Sequence, residues 1–410
     1  MHRVAITGLG VLAPSAICVD ALIGNLTAGR SGVALLALPE VDRLRSPIGA
    51  AVQFDNGLHF EASQLRLLDR VSQLALVAAS QAIADAGLDF TAEQRERCGV
   101  CVGSGIGGAA TTDAGYRAAF AQHSNRIQPY SVLAAMANAP ASWIGIQHGL
   151  TGPNLTYSTA CSSSAVALGE AARRIQCGDA DIMLAGGAEA PLVFGVLLAW
   201  DALRVLATVD PVDPAHSCRP FSGNRTGLVL GEGAAFLVLE QWGHAEQRKA
   251  RIHAEFAGYG LTTDVAHITR PSAEGQARAM RAALRSAAMQ PDQIDYVNAH
   301  GTGTLQNDAV ETAALKEVFG PRAYVLPVSS TKSMHGHLLG AAGALEFVIA
   351  IAAMERAVIP PTMHLDEADA SCDLDYVAGA ARSGVKLQSV MSNSFAFGGT
   401  NAVLIARNVA

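Results

Sequence analysis

The sequence predicts an α/β fold in which sheets are covered by helices on both faces. Apolar segments that end in glycine recur along the 410 residues, and amphipathic helical segments lie between them. Such alternation of strand and helix is typical of layered α/β proteins. The composition also indicates a large buried interior or interface, because 50% of the residues are hydrophobic and only 16% are charged. Typical soluble proteins contain about 25% charged residues.

The elements can be placed in order along the chain. We expect a strand followed by a glycine-rich turn at 3–10, 100–108, 181–189, 294–303 and 389–399. We expect helices between them at 69–86, 161–177, 274–289 and 343–356. A further strand at 227–240 closes a first half, and the polar stretch 241–250 turns the chain into a second. We therefore expect two similar halves, 1–250 and 251–410.

Charge and hydropathy exclude several classes of protein. The net charge of −7 argues against bulk nucleic-acid binding, which requires a basic surface. The most apolar runs, 190–200 and 345–354, are about half as long as the roughly 20 residues that a membrane span needs. No signal peptide is evident at the start of the sequence. We therefore expect a cytoplasmic enzyme without a membrane span.

The seven cysteines do not indicate a disulfide framework, because their number is odd and their positions are scattered. Cys98 and Cys101 form a CxxC pair inside a segment that is typical of a buried strand. Residues three apart in a strand point to opposite faces. The pair is therefore not expected to bind a metal or to form a redox disulfide.

Cys161 is the first candidate catalytic residue. It lies in STACSSS, where a strand-like segment leads into an amphipathic helix that we expect to open at the cysteine. A helix N-terminus favours the thiolate and lowers the pKa of a thiol. The small serines leave room for a substrate. A buried structural cysteine is the alternative, and it is the more common role of a free cysteine.

Two histidines strengthen the case for a site at Cys161. His300 lies in NAHGTGT at the end of a predicted strand, and His337 lies in KSMHGHLLGAAG before a predicted helix. One cysteine with two such histidines is better explained by nucleophilic catalysis than by separate core residues. A zinc site with Cys161, His335 and His337 is the rival, but no supporting carboxylate or thiolate is evident in the motif. We therefore expect no metal.

A glycine-rich loop, FAFGGTN, completes the pattern, because its backbone can approach a ligand closely and donate to an oxyanion. In order, TACSSS, NAHGTGT, KSMHGHLLGAAGA and FGGTN resemble the motifs of β-ketoacyl-acyl carrier protein synthases of the elongating, free-standing kind, within the thiolase-like superfamily. The resemblance covers essentially the whole chain. It implies a five-layer αβαβα fold made of two related halves, and an obligate dimer.

The resemblance also implies a reaction, the decarboxylative Claisen condensation of two carrier-bound substrates. Cys161 takes an acyl group from an acyl carrier protein, and the backbone N–H groups of Cys161 and Phe397 hold the oxyanion. Malonyl-carrier then loses CO₂, and His300 and His337 stabilise the resulting enolate. The enolate attacks the acyl-cysteine and releases a 3-oxoacyl-carrier that is two carbons longer. No organic cofactor is implied.

Other residues take roles from the same resemblance. Lys332 and Glu346 match the family's motif lysine and glutamate, which we interpret as a buried pair that orders the site, with a surface pair as the alternative. Phe397 matches the residue that gates the acyl pocket. The positions implied to bind substrate are Ile106, Trp200, Thr302, Thr304, Phe395, Gly398 and Gly399. The positions implied to meet the acidic carrier are Arg66, Arg70, Arg126 and Arg204.

The sequence departs from the family pattern at three places. Ala396 stands where glycine usually precedes the gating Phe397, and Trp200 replaces a smaller aromatic residue, although a core role for Trp200 is equally open. Few basic residues surround Arg66, and a solvated surface charge is the alternative for each arginine. These departures favour a specialised polyketide ketosynthase, for a polyene or an aromatic product, paired with a chain-length-factor homologue. A homodimeric fatty-acid enzyme is the other reading.

Two further alternatives fit the sequence less well. A degradative, coenzyme A-dependent thiolase needs a second, C-terminal cysteine, and the only cysteine after His364 is Cys372, with FGGTN in the place of the glycine-rich loop. A non-catalytic dimer partner would have lost its nucleophile, whereas this chain keeps Cys161 and both histidines.

Overall fold

Strands and helices alternate along the chain, as the sequence predicts. The computed structural model describes residues 1–265 and 267–409. Over these residues the strands are β1 (Val4–Leu12), β2 (Val33–Leu35), β3 (Ile48–Ala50), β4 (Cys98–Gly103), β5 (Asn154–Tyr157), β6 (Ile182–Glu189), β7 (Gly233–Gln241), β8 (Ala254–Thr263), β9 (Tyr296–Asn298), β10 (Val328–Ser329), β11 (Val358–Ile359), β12 (Arg382–Ser383), β13 (Ser389–Phe395) and β14 (Thr400–Arg407). Over the same residues the α-helices are α1 (Val19–Thr27), α2 (Ala62–Leu65), α3 (Arg70–Asp85), α4 (Ala92–Glu96), α5 (Ala109–Tyr116), α6 (Ser131–Ala135), α7 (Ala139–His148), α8 (Ser163–Cys177), α9 (Phe194–Leu203), α10 (Trp242–Gln247), α11 (Ala273–Ser286), α12 (Leu305–Phe319), α13 (Lys332–His335) and α14 (Ala342–Glu355).

One mixed sheet runs through the described part of the chain, in the order β10-β9-β13-β14-β8-β1-β7-β6-β4-β5. Its two ends repeat one pattern. In the first half β1 is antiparallel to β7, and β4 is parallel to β5. In the second half β8 is antiparallel to β14, and β9 is parallel to β10. The halves join where β1 and β8 pair only over Ala5 and Ile6.

Helices form the layers around this sheet. Helices α3 and α7 pack on the outer face of the first half, and α11 packs with α12 on the outer face of the second. Helices α8 and α14 contact each other between the two halves, and their side chains form one apolar core with both. If the two halves of the sheet are counted as separate layers, the order is helix, sheet, helix, sheet, helix. This is the expected five-layer order, so the fold prediction is confirmed.

The CxxC pair behaves as its strand position predicts. Cys98 packs into the outer core with residues of α3, whereas Cys101 packs into the central core with residues of α8. The two thiols lie on opposite faces of β4, and all seven cysteines are free. The predicted strand geometry, with the two thiols on opposite faces, is therefore confirmed.

Some expected boundaries are wrong. The predicted strand at 227–240 is regular only from Gly233, because the residues before it form isolated bridges to neighbouring loops. The expected turn at 241–250 contains α10. None of the helices in the described residues has both the length and the apolar character to cross a bilayer.

Candidate active site

Cys161 lies in a tight turn between β5 and α8. Ala160 has a φ of 51°, and Cys161 is part of a short 3-10 turn, Ala160–Ser162, that precedes the helix. The Ser163 hydroxyl donates to the Ala160 carbonyl oxygen at 2.6 Å and accepts from the Thr159 N–H at 2.9 Å. These bonds hold a left-handed residue that would otherwise be strained. The prediction that the helix opens at the cysteine is wrong, because α8 begins at Ser163.

The environment of the Cys161 thiol favours its neutral form. The residue is 6% exposed, and burial raises the pKa of the thiol to about 11. The charge of Lys332 and the N–H of Phe397, which donates to Sγ, lower the pKa by less than burial raises it. The expectation of a thiol pKa lowered by the helix is therefore wrong for the resting protein. The thiol is protonated at neutral pH and has to lose its proton when it reacts.

Both histidines face the cysteine. The side chains of Cys161, His300 and His337 converge, and one sulfur or nitrogen atom from each lies within 4.8 Å of the other two. The two rings are edge to face, with centroids 5.3 Å apart. The Leu339 N–H donates to His337 Nδ1 at 3.3 Å, and the Lys332 ammonium lies 3.4 Å from His300 Nδ1. Because both Nδ1 atoms accept, each Nε2 carries the proton and donates toward the site.

The two imidazoles are neutral as well as oriented. Burial, and then the nearby Lys332 charge, hold the pKa of His300 and of His337 well below the ordinary value for histidine. A neutral imidazole can donate a hydrogen bond without transferring its proton easily. The pair is therefore suited to stabilise an oxyanion or an enolate.

Lys332 and Glu346 form a buried ion pair beneath the histidines. Both side chains are 1% exposed, which excludes the surface-pair alternative. Lys332 Nζ also donates to the carbonyl oxygen of His300 at 2.6 Å. Burial raises the pKa of Glu346 to about 7, although Lys332 opposes this. The pair fixes the backbone that carries His300.

A cavity of about 320 Å³ reaches Cys161, His300 and His337. It opens to solvent, since the exposed side chains of Ile268 and Leu305 lie in its wall. Further lining residues with predicted roles are Trp200, Arg204, Thr302, Thr304, Phe395, Phe397 and Gly399. A substrate arm can therefore reach the thiol through one passage.

The geometry disfavours the two rival chemistries. His335 does not join the cluster, because its ring bonds to Gly336 O and to the Thr331 hydroxyl. A cation held by the other three residues would meet the ammonium of Lys332, which repels it. Cys372, the only C-terminal candidate for a thiolase, lies outside the cavity wall and contacts Ser371.

Comparison with known proteins agrees with this geometry. The family model for the β-ketoacyl synthase N-terminal domain matches residues 1–245, and that for the C-terminal domain matches residues 253–366. The chain belongs to the β-ketoacyl synthase family. It is therefore an acyltransferase-type condensing enzyme, and the reaction class implied by the sequence motifs is confirmed.

Relatives cover the synthase from end to end. Nodulation protein E of Rhizobium meliloti strain 1021 is 43% identical over 408 residues, with 100% of each chain covered. A 3-oxoacyl-[acyl-carrier-protein] synthase 2 of Coxiella burnetii is 42% identical over 414 residues, covering 100% of this chain and 99% of that protein. A solved structure of the ishigamide ketosynthase/chain length factor is 33% identical, covers 100% of both chains and superposes with a TM-score of 0.92.

Of the residues predicted to bind substrate, some line the synthase's cavity and others lie outside it. The Trp200 and Phe397 rings are stacked, with centroids 6.0 Å apart and planes at 22°. The Thr302 and Thr304 hydroxyl oxygens are 2.9 Å apart in the cavity wall. Ile106 does not face Trp200 across this cavity, because it lies outside the wall and is 38% exposed.

The glycine-rich loop of the synthase is tied to a second loop. Phe395 packs its ring at 6.1 Å from that of His300, on the inner side of the loop. Gly398 is exposed, outside the cavity wall, and its N–H donates to the Ile268 carbonyl oxygen at 2.8 Å. Gly399 lies in the wall with a φ of 82°, in the left-handed region that favours glycine.

The four arginines implied to meet a carrier protein are not equivalent. Arg66 and Arg126 are exposed, and Arg204 lies at the cavity mouth. Arg70 instead binds Glu232 through two bonds, at 2.6 and 2.8 Å, and donates to Val52 O. Its guanidinium is thus engaged within the chain, so a carrier would compete with Glu232 for it.

Sequence reasoning missed the carboxylates that hold the catalytic loops. Glu311 accepts from the N–H groups of His300 and Gly301, each at 2.8 Å. Glu189, which is fully buried, accepts from Gly105 N–H at 2.6 Å and from Gly340 N–H at 2.9 Å. For Glu189 the available signal was a lone acidic residue in an otherwise apolar or small-residue strand, since a buried carboxylate needs several donors. Glu311 gave no such signal, because its helix also carries Asp308, Lys316 and Glu317.

Proposed function

We propose that the protein elongates an acyl chain held on an acyl carrier protein, by decarboxylative condensation with malonyl-carrier. The observation that carries this proposal is the convergence of one buried thiol and two neutral imidazoles, with one ligand atom of each within 4.8 Å of the others. The proposal assigns the nucleophile to the half 1–250 and the histidine donors to the half 251–410.

In the first step, Cys161 Sγ attacks the acyl thioester, and the carrier thiol leaves with the proton that Cys161 loses. The N–H of Phe397 already points at Sγ. Together with the Cys161 N–H, it donates to the oxyanion of the tetrahedral intermediate. The acyl group ends on Sγ, in a covalent intermediate that divides one difficult step into two.

In the second step, malonyl-carrier occupies the same cavity. His300 and His337 donate their Nε2–H bonds to its thioester oxygen, and loss of CO₂ leaves an enolate. Lys332 keeps His300 neutral and in position, because its Nζ donates to the His300 carbonyl oxygen at 2.6 Å. The enolate carbon attacks the acyl carbonyl, the bond to Sγ breaks, and the 3-oxoacyl-carrier is released. The departing Sγ takes up a proton from solvent, which restores the resting thiol.

The partner and the pathway are part of the same proposal. The name of the Coxiella relative supports an acyl carrier protein as partner. The solved ishigamide ketosynthase/chain length factor supports a chain-length-factor homologue as dimer partner. The relatives named for nodulation and for 3-oxoacyl-carrier synthesis are 43% and 42% identical. Identity therefore does not separate a fatty-acid homodimer from a specialised heterodimer. Under both hypotheses, we expect the enzyme to act in the cytoplasm.

Intact-mass spectrometry with a panel of acyl-carrier donors, together with native mass, tests the proposal. A Cys161 acyl adduct in a homodimer, broad over saturated chains, indicates fatty-acid synthesis. Adducts confined to short or polyunsaturated chains, or formed only with a co-expressed homologue, indicate a specialised ketosynthase. Cys161→Ala is the control that should carry no adduct. No adduct from any donor, with reduced Cys161 and a partner present, would overturn the proposal.

A further inference from the structure

Glu189 is a buried carboxylate with an unusual set of partners. It is the last residue of β6 and is 0% exposed. The fully buried Glu240 and Glu346 each form an ion pair with an arginine or a lysine. Among the described residues, Glu189 instead accepts hydrogen bonds only from uncharged donors, which are Ser104, Gly105, Ile106 and Gly340. A buried charge without a counter-ion is costly, so these four bonds have to hold it.

The four donors lie in two segments that are far apart in the chain. Residues 104–106 follow β4 in the first half, whereas Gly340 lies in the 3-10 turn Leu339–Ala341 of the second half. Glu189 Oε2 accepts from the Gly105 N–H at 2.6 Å and from the Gly340 N–H at 2.9 Å. The two backbones touch, because a Cβ on Gly340 would lie 2.4 Å from the Gly105 nitrogen. One carboxylate oxygen therefore joins a loop of each half.

The turn at Leu339 that Glu189 holds also orients His337. The Leu339 N–H donates to His337 Nδ1 at 3.3 Å, which leaves the ring proton on Nε2. Leu339 has a φ of 45°, in the left-handed region that a leucine rarely adopts. Such a residue persists only where its surroundings hold it. The next peptide unit supplies that support, because the Gly340 N–H is bound to Glu189.

We propose that Glu189 is a positioning residue for His337. By holding the turn at Leu339, it keeps the Leu339 N–H on Nδ1 and thus the proton of His337 on Nε2. The proposal rests on the proposed function, in which this Nε2–H donates to the enolate of the second step. Glu189 lies outside the wall of the catalytic cavity, so it acts through His337 and not on the substrate. A residue of the first half thereby supports the chemistry of the second.

Two rates, Cys161 acylation and CO₂ release from malonyl-carrier, test the proposal on the same variants. Glu189→Met leaves no oxygen to hold Gly340, so the turn can relax and Nδ1 can take the proton. We expect kcat for CO₂ release to fall roughly ten- to a hundredfold, approaching the loss of one oxyanion donor. KM for malonyl-carrier should change little. The acylation rate should also change little, since the N–H groups of Cys161 and Phe397 serve that step.

The ring ¹⁵N shifts of His337 report the tautomer directly, and the signals lost in His337→Ala assign them. We expect the proton on Nε2 in the wild type and partly on Nδ1 in Glu189→Met. Glu189→Gln is the conservative variant, because its amide oxygen can accept from both Gly105 and Gly340. It should restore most of the CO₂ release without the charge. Glu240→Gln changes an equally buried strand glutamate outside the cavity wall, and this matched control should leave the ratio of the two rates unchanged.

Three results would overturn the proposal. A wild-type His337 with its proton on Nδ1 would contradict the tautomer directly. Equal losses of acylation and CO₂ release in Glu189→Met would mean that Glu189 only supports the fold, and an unchanged rate of CO₂ release would mean that the turn does not need it. If Glu189→Met does not fold, Glu189→Asp replaces it with the same outcomes, because the shorter side chain cannot reach both loops. Failure of the proposed function would differ, because then the wild type neither releases CO₂ nor accepts an acyl group.

Discussion

The two halves of the molecule share a strand order but not a chemistry. In the first half, the turn from β5 to α8 carries Cys161, the proposed nucleophile. The corresponding segment of the second half runs from β10 to α14 and carries Lys332, His337 and Glu346. Helix α14 is buried over nearly its whole length, whereas α8 exposes a charged face. Repetition of the scaffold therefore places two different sets of side chains on either side of one cavity.

The Cys161 thiol of the first half and the His300 and His337 imidazoles of the second half are all neutral at rest. Burial raises the pKa of Cys161 in one half and lowers the pKa of His300 and His337 in the other. The cluster's one cation, Lys332, is matched by Glu346 within the second half. We therefore expect mutations at the site in the first half to affect acyl transfer, and mutations at the site in the second half to affect enolate stabilisation.

Cys161→Ala should give the largest effect, because it removes the first half's chemistry only. We expect acyl transfer to fall by more than about a thousandfold, since no other nucleophile is in place. Release of CO₂ from malonyl-carrier should persist, because the His300 and His337 donors are unchanged. Adduct formation and CO₂ release are measured on the same preparation. A folded variant that also loses CO₂ release would show that the halves do not act separately.

The pH dependence of Cys161 alkylation should be nearly as large. Because burial raises the thiol's pKa to about 11, the thiolate fraction grows about tenfold per pH unit below that value. We expect the rate of modification by iodoacetamide to rise about a thousandfold from pH 7 to pH 10 without a plateau. Peptide mapping separates Cys161 from the exposed Cys18 and Cys177. A plateau near neutral pH would show that the turn stabilises the thiolate at rest.

Lys332→Met should remove the buried ion pair of the second half and destabilise the protein. Loss of the cation leaves Glu346 buried and uncompensated, which destabilises a protein by about 3–5 kcal/mol. Urea unfolding measures the change. The double variant Lys332→Met, Glu346→Met should recover much of this stability, because two apolar side chains replace the pair. It should not recover activity, since the donor to the His300 carbonyl oxygen is absent. Full activity in the double variant would contradict a positioning role.

The sequence predicted those features that depend on local pattern. Helices such as α3 and α14 follow from the spacing of apolar residues, and their ends agree within a few residues. The motifs around Cys161, His300 and His337 are short segments at turns, and the structure brings them into one cavity.

The features that it missed depend on groups distant in the chain. The resemblance implies that Arg70 meets the carrier, and nothing near it in the sequence indicates its partner in the fold, Glu232, which is 162 positions away. The pKa of Cys161 was assigned from the helix alone, but burial by other elements outweighs that effect. Pairing and desolvation are properties of the folded chain, so local pattern does not predict them.

The smallest predicted effect concerns one of the contacts between the halves, at His253. His253, just before β8, bonds to Asp85 at the end of α3 and to Glu355 at the end of α14, each at 2.8 Å. Burial alone would lower the pKa of His253, but these two bonds outweigh it and raise the pKa to about 9. A folded pKa above the unfolded value of about 6.5 stabilises the fold fully below that pH, and the gain is lost as pH rises through about 9.

His253→Gln should therefore reduce stability by about 2 kcal/mol at pH 6, and by much less at pH 9.5. Asp85 and Glu355, whose pKa values are lowered, stay ionised over this range, so they do not produce the change. Arg251→Gln removes a more exposed partner of Glu355 and is the control for a general loss of charge. Urea unfolding of both variants across the pH range gives the measurement. A His253→Gln effect that stays constant with pH would mean that the imidazole joins the halves by packing, and not by its charge.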